Sequence, residues 1–539
     1  MRLQDMKYSD GITKTTQVRF GGLNHTPGAS DGEIWDMKNM TGDSFPLLAV
    51  REPRLLYKTL AQPGGIYCWN KLCWVDGTGF YYDGVLKGQV TAGLKRFAAM
   101  GPHIIIMPDK CYYNVETDTF GSLESRWSGE SLIFCNGTLF GEDAEANTIR
   151  CEGVNWAEWF RDGDAVTISG CTVHPENNKT PIIRAINGDT LTFYENVFTL
   201  ENGAEYAEAG ELHIARTVPD LEFLCENENR LWGCDGSTIY ASMWGDPFNW
   251  NVFDGLESDA FSVAPTARGN FTGGISYKGF AIFSKEERIY KVYGSVPSSF
   301  KAVDSASIGV AEGSGDSLAI AGETLFYLSR NGVMAFSGGI PQNVSQAFGM
   351  ERFKNAVGGS DGMKYYISMQ NADGQWWLYV YDTQTGMWHK EDQTRVTHFA
   401  RCEGNLYILS STGEIWISGN TQDPPVAEAV EKQIPWMVEF ADFTEEDPNK
   451  KNVRKIQLRV DLEEESTATV WIQFDSDGFW HEMSTLRCDG AKRSFVLPIV
   501  PRRCDHYRLK IEGTGGAQIH SLARSYSVGS EFKSKSGRN

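Results

Sequence analysis

Reactive side chains are thinly spread along this chain. Only nine histidines occur in 539 residues, and they are scattered. No Cys-x-x-Cys and no Cys/His cluster of zinc spacing is present, so no metal site is expected. The 11 cysteines fall at positions 68, 73, 111, 135, 151, 171, 225, 234, 402, 488 and 504, an odd number at irregular intervals. Many lie in strand-like runs such as "IYCWNKLCW" from Ile66, so free thiols acting as small apolar residues in a reducing cytoplasm are expected. There is no G-x-x-x-x-G-K-[ST] and no H-E-x-x-H. "GVAEGSGDS" from Gly309 is glycine-rich but does not fit a dinucleotide fingerprint.

Positive charge is also short. Fifty Lys and Arg stand against 70 Asp and Glu, a formal net charge of -20. That argues against a protein that grips phosphates, although nucleic acid could still slide past an acidic wall that repels it. Otherwise the charge simply keeps a large protein soluble. Long apolar runs are missing too: none approaches the roughly 18 residues of a membrane span. The opening "MRLQDMKYSDGITKTTQVRF" lacks a signal-type apolar core, so neither ordinary export nor a membrane anchor is expected.

What the chain does contain is aromatic residues, at 12% with 16 Trp, and 56 Gly. Aromatics favour strands and glycine favours the turns between them. Seven phrases of strand, turn and strand can be counted, starting at Gly64, Arg96, Leu221, Gly273, Ser317, Lys364 and Thr397. "LFYLSRNGVMAFSG" from Leu325 and "LYILSSTGEIWISG" from Leu406 nearly rhyme, with Asn331-Gly332 and Thr412-Gly413 at the hairpin turns. Repeats of this length predict an all-β fold, a β-propeller of about seven blades. The phrasing changes between 121 and 219, where "FRDGDAVTISG" and "IIRAINGDTLTFYEN" predict a small inserted β domain. Residues 1–60 are expected to be an extended segment joining the propeller, 61–120 its first blades and 220–420 the rest. A linker at 421–432, a jelly-roll-like β-sandwich at 433–530 and a loose basic tail at 531–539 complete the expectation. "DGEIWDMKNM" near Asp31 is the best helix candidate.

Few motifs invite chemistry. "FDSDGFW" sets Asp475 and Asp477 two apart, but Gly478 comes at position four and Leu486 at twelve, which fits a hairpin turn and not a calcium loop. "NADGQWW" from Asn371 reads as a glycine turn. His389 and His398 fall at strand ends, where packing or surface roles are the default. Trp244, Trp250, Trp376, Trp377 and Trp388 are read as packing between blades before sugar platforms. Trp471, Phe479 and Trp480 in the sandwich are the candidate contacts for a glycan or a partner.

"RLWGCDGSTIYASMWGDPFNW" from Arg230 resembles a phrase of the tail hub, nozzle or tail tubular proteins of short-tailed bacteriophages, in which an Arg-Leu-Trp strand leads to a Gly-Asp-Pro turn and a Trp. The stretch from Phe283 to Phe348 is similar to their following blades. "FGGLNHTPGASDGEIWDMKNMTGDSFPLLAVREPR" from Phe20 is similar to their opening segment. Together these pieces make up about a quarter of the chain, and it is their order that carries the resemblance.

The resemblance implies a virion protein assembled in the host cytoplasm. It implies a homo-oligomer, usually a hexamer, below the head–tail adaptor and in contact with other tail proteins. Double-stranded DNA would be only a transient cargo in its channel. It implies no catalytic residue and no cofactor. The inserted domain and the sandwich have no assured counterpart in that family. A tail-associated receptor protein binding host glycans is therefore the alternative, and a glycoside hydrolase with a carboxylate pair in a cleft the third reading.

Overall fold

The computed structural model describes residues 11–528 apart from 27, 30, 137–146, 195–196, 201–204, 254, 419–426, 448, 489, 491–492 and 501. The expected tail at 531–539 and residues 421–426 of the expected linker lie outside these. Every regular element described is a strand or a short 3-10 turn. The chain forms two compact units, Ala61–Gly315 and Met1–Leu60 with Asp316–Asn539. The fold is all-β and built from propeller blades, with an inserted β domain and a β-sandwich.

Ala61–Gly315 contains four-stranded antiparallel blades at 63–89, 96–122, 223–263 and 273–305, each a simple meander. Strand His103–Met107 shows why the blades stack. Ile104 and Ile106 pack with Cys73, Val75 and Phe80 of the preceding blade. Ile105 and Met107, on the opposite face, pack with Leu231, Phe248 and Trp250 of the following one. Both faces of the strand are buried, so the apolar residues run on without alternating. Strand Arg230–Asp235 repeats the device: Leu231 faces back toward that second blade, while Trp232 and Cys234 pack with Phe271 and Phe283 of the next. Between the second and third blades lies a six-stranded sheet spanning 125–216. Its core includes Phe134, Trp156, Phe193 and Leu212. Its first and last long strands pair with Ser125 opposite Arg216, so the domain leaves the blades and returns to them at one place.

The second unit holds blades at 319–343, 353–390 and 396–417. The last is completed from far away in sequence: Leu55–Thr59 pairs with Glu414–Ile417, and Ala429–Val430 pairs beyond it. The sandwich has two sheets. One is centred on Lys451–Leu462 and Ala517–Val528, the other on Thr467–Phe474 and Tyr507–Thr514.

Three expectations are corrected. The N-terminal segment does more than join the blades. Ile12–Gln17, Met40–Thr41 and Leu48–Val50 belong to one sandwich sheet and Ile34–Lys38 to the other, because Ala517–Val528 and Pro435–Phe440 offer open edges to pair with. The helix expected near Asp31 is the strand Ile34–Lys38: Ile34 and Met37 are fully buried, and Met37 pairs with Val438. Nine cysteines are free thiols, but Cys68 is disulfide-bonded, which the irregular spacing did not signal.

Candidate functional site

The structure brings two of the three candidate aromatics together. Trp471 lies on Thr467–Phe474, directly opposite Lys510 in the sheet. Trp480 ends the loop that follows. The Lys510 ammonium lies 5.5 Å from the Trp471 ring centre and 5.2 Å from that of Trp480, with Glu512 3.1 Å away. The ring faces turned to Lys510 are therefore engaged in cation–π contact, which leaves less open face for stacking on a sugar. Phe479 stands apart, 71% exposed.

The neighbouring carboxylates build the turn, as expected. Asp475 and Ser476 both have φ of 51°. The Asp477 carboxylate accepts the Phe479 amide at 3.0 Å and pairs with Arg502 at 3.3 Å. Asp475 accepts the Asp505 amide at 2.8 Å. Asp475, Asp505 and His506 place ligand-type atoms within 4.8 Å of one another, a grouping no local motif announced. Both His506 ring nitrogens are already used, one on Asp505 at 2.6 Å and one on Ser476 at 2.7 Å.

A cavity of about 530 Å³ lies in the same unit, lined by residues that include Gly42, Asp43, Asp361, Lys364, Asp382 and His389. Its charges are largely compensated. Lys364 pairs with Asp43. Asp361 accepts the amides of Met363 and Lys364 and the Tyr366 hydroxyl at 2.8, 2.7 and 3.2 Å. Asp382 accepts the amides of Gln384 and Thr385 at 2.8 and 3.3 Å. Burial, reinforced by Lys364, pulls the His389 imidazole down to about 4, so the ring is neutral at physiological pH. A Cβ on Gly42 would lie 2.8 Å from His389 Nε2, so only glycine lets the chain cover the ring so closely.

Beside the cavity lies an ion cluster that sequence reading missed. Arg51 clasps Glu431 with two bonds, of 2.7 and 2.9 Å, and donates through Nε to Asn39 at 2.9 Å. Arg54 bonds Glu391 and, at 2.9 Å, Asp392. Burial alone would lower the Arg54 pKa; Asp392, Glu391 and Glu431 together raise it. Burial would likewise raise Asp392, but Arg54 leads the groups that hold it below the usual carboxylate range. The cluster ties the N-terminal passage to the last blades and to the start of the sandwich. Its only sequence signal was the "REPR" that closes the opening segment.

The tryptophans divide by place. Trp250 and Trp388 are buried in the cores, as expected. Trp376 and Trp377 are half-buried beneath Arg395 and Lys390, at 4.8 and 4.2 Å. Trp244 is 57% exposed.

No family model matches the chain, and no curated protein is similar to it. Among solved structures it is similar to BamB from Moraxella catarrhalis, at 12% identity and a TM-score of 0.34, covering 68% of this chain and 98% of that one. It is similar to the RRP9 WD40 repeats at 7% identity and a TM-score of 0.31, covering 68% and 97%. An exo-beta-1,3-galactanase from Phanerochaete chrysosporium matches at 8% identity and a TM-score of 0.21, covering 56% and 94%. Likenesses this weak say nothing about activity. No described helix is long and apolar enough to cross a membrane.

Proposed function

We propose that this chain is a structural protein of a bacteriophage tail, a subunit of an oligomeric hub or nozzle that continues the genome-exit channel. It acts by shape and contact, without turnover. One observation carries the reading: the residues that resemble the family are framework residues. Arg230 is 2% exposed and donates to the carbonyls of Ser242 at 2.8 Å, Glu257 at 2.7 Å and Asp259. The turn after it is closed by Asp246, which accepts from Asn249 at 2.6 Å, and by the Trp250 indole, which donates to Pro247 at 2.9 Å. A phrase that fixes a blade and serves no visible chemistry suits a protein whose product is a wall. The acidic balance of -20 suits a wall that DNA passes without adhering.

Quantitative mass spectrometry of purified particles tests this. The chain should be a stoichiometric virion component, near six copies per particle. Complete particles that lack it would overturn the proposal. Receptor contact through Phe479 and Trp480 is the second reading. It is favoured by the exposure of Phe479 and requires glycan binding that Trp480→Ala abolishes.

A further inference from the structure

The sandwich unit also carries a groove of about 880 Å³ that the framework role does not explain. One wall is the loop between Lys451–Leu462 and Thr467–Phe474, where Glu463, Glu464 and Glu465 stand exposed in succession. The Gly515-Gly516 turn packs directly against that loop, the Glu463 amide donating to the Gly516 carbonyl at 3.1 Å, and Glu52 and Lys432 also line the groove. The glycine pair makes this shape possible. A Cβ on Gly516 would lie 2.1 Å from the Glu463 carboxyl carbon, and one on Gly515 would lie 2.3 Å from Ser466 Oγ. Glu52 and the three loop glutamates make no ion pair among the described residues. Ser466, 2% exposed, also lines the groove, and its hydroxyl has no hydrogen-bond partner. A negative groove with an unsatisfied hydroxyl fits an extended peptide that brings cations and backbone polar groups.

We propose that the groove receives the basic C-terminal segment of a second copy of this chain. Residues 529–539 read "GSEFKSKSGRN" and carry Lys533, Lys535 and Arg538. Lys533 and Lys535 are two apart, a spacing that sets both on one side of an extended chain, opposite the glutamates. The chain's own segment cannot deliver them. Strand Ala517–Val528 begins at the groove and runs away from it for 12 residues, about 36 Å. Lys533 and Lys535 lie five and seven residues past Val528, a reach of roughly 17 and 25 Å. Lys533 falls short of the groove even with its side chain, and Lys535 and Arg538 could return only by doubling back fully extended along the strand, so a neighbouring copy is what delivers all three cations together. The proposal rests on the homo-oligomeric reading above.

Two measurements test it. First, a fluorescent peptide of sequence 529–539 is titrated into the chain lacking 531–539, followed by anisotropy. Binding is expected, weakening at least tenfold in Glu463→Gln/Glu464→Gln/Glu465→Gln and falling steeply with salt. Absence of binding, or equal affinity for the triple variant, overturns the proposal. The three glutamates are exposed, so the variant should keep the wild-type melting temperature. Second, light scattering compares the full chain with the truncated one. Loss of assembly on truncation supports the groove contact. Equal assembly overturns the contact but leaves the ring reading standing. Groove-dependent peptide binding by a chain that stays monomeric supports the groove and contradicts the ring.

Discussion

Arg54 and His389 show how single residues hold the second unit together. Arg54 is 4% exposed and touches two carboxylates. Replacing it by Ala leaves Glu391 and Asp392 without their main counter-ion. Breaking a buried pair in this way costs about 3–5 kcal/mol, so Arg54→Ala should lower the urea midpoint far more than Arg288→Ala, whose pair is exposed. His389 makes a pH prediction. Its folded value of about 4 lies below the ordinary 6.5, so the unfolded chain binds the extra proton between them. The stability this contributes is fully present above 6.5 and is lost as pH falls toward 4, by about 3 kcal/mol. Melting curves from pH 7.5 to 4 should therefore fall more steeply for the wild type than for His389→Gln. Parallel slopes would refute the assignment. Neither role was legible in the sequence. "MWHK" and "REPR" say nothing of burial, which depends on Gly42 and Glu431 arriving from distant positions.

At the scale of elements, turn chemistry was the most legible signal. Gly332 and Gly413, placed at hairpin turns from sequence, have φ of 111° and 104°. Gly413 carries a second constraint: a Cβ there would lie 2.3 Å from the Leu60 carbonyl oxygen, a backbone atom that cannot swing aside. Gly404 has φ of 84° but open space around it. Gly404→Ala should cost about 1–2 kcal/mol for conformation alone. Gly413→Ala should cost clearly more, and equal losses in thermal unfolding would contradict the clash. Runs such as "HIIIM" were also readable, since a strand covered on both faces need not alternate. The strand Ile34–Lys38 was not. "DGEIWDMKNM" has no strict alternation, and its conformation is set by pairing with residues about 400 positions later. Likewise, no local feature of Leu55–Thr59 shows that it completes the last blade.

At the scale of the whole molecule, composition told the most about the fold and the least about the site. Abundant aromatics and glycines led directly to stacked meanders, because each blade needs both large faces and tight turns. The insertion was legible because hairpin phrasing changed at both of its ends. The ion cluster, the cavity and the acidic groove were not, since each gathers residues from the N-terminal passage and from beyond residue 360. Such convergence leaves no spacing to read. The buried charges and tight glycines tie distant segments together, which suits the conduit wall proposed above. The most direct test is to label intact phage particles with a gold-tagged antibody to this chain and image them. The account predicts label on the tail, directly below the head. Complete particles without label, from a culture in which the chain is produced, would contradict it.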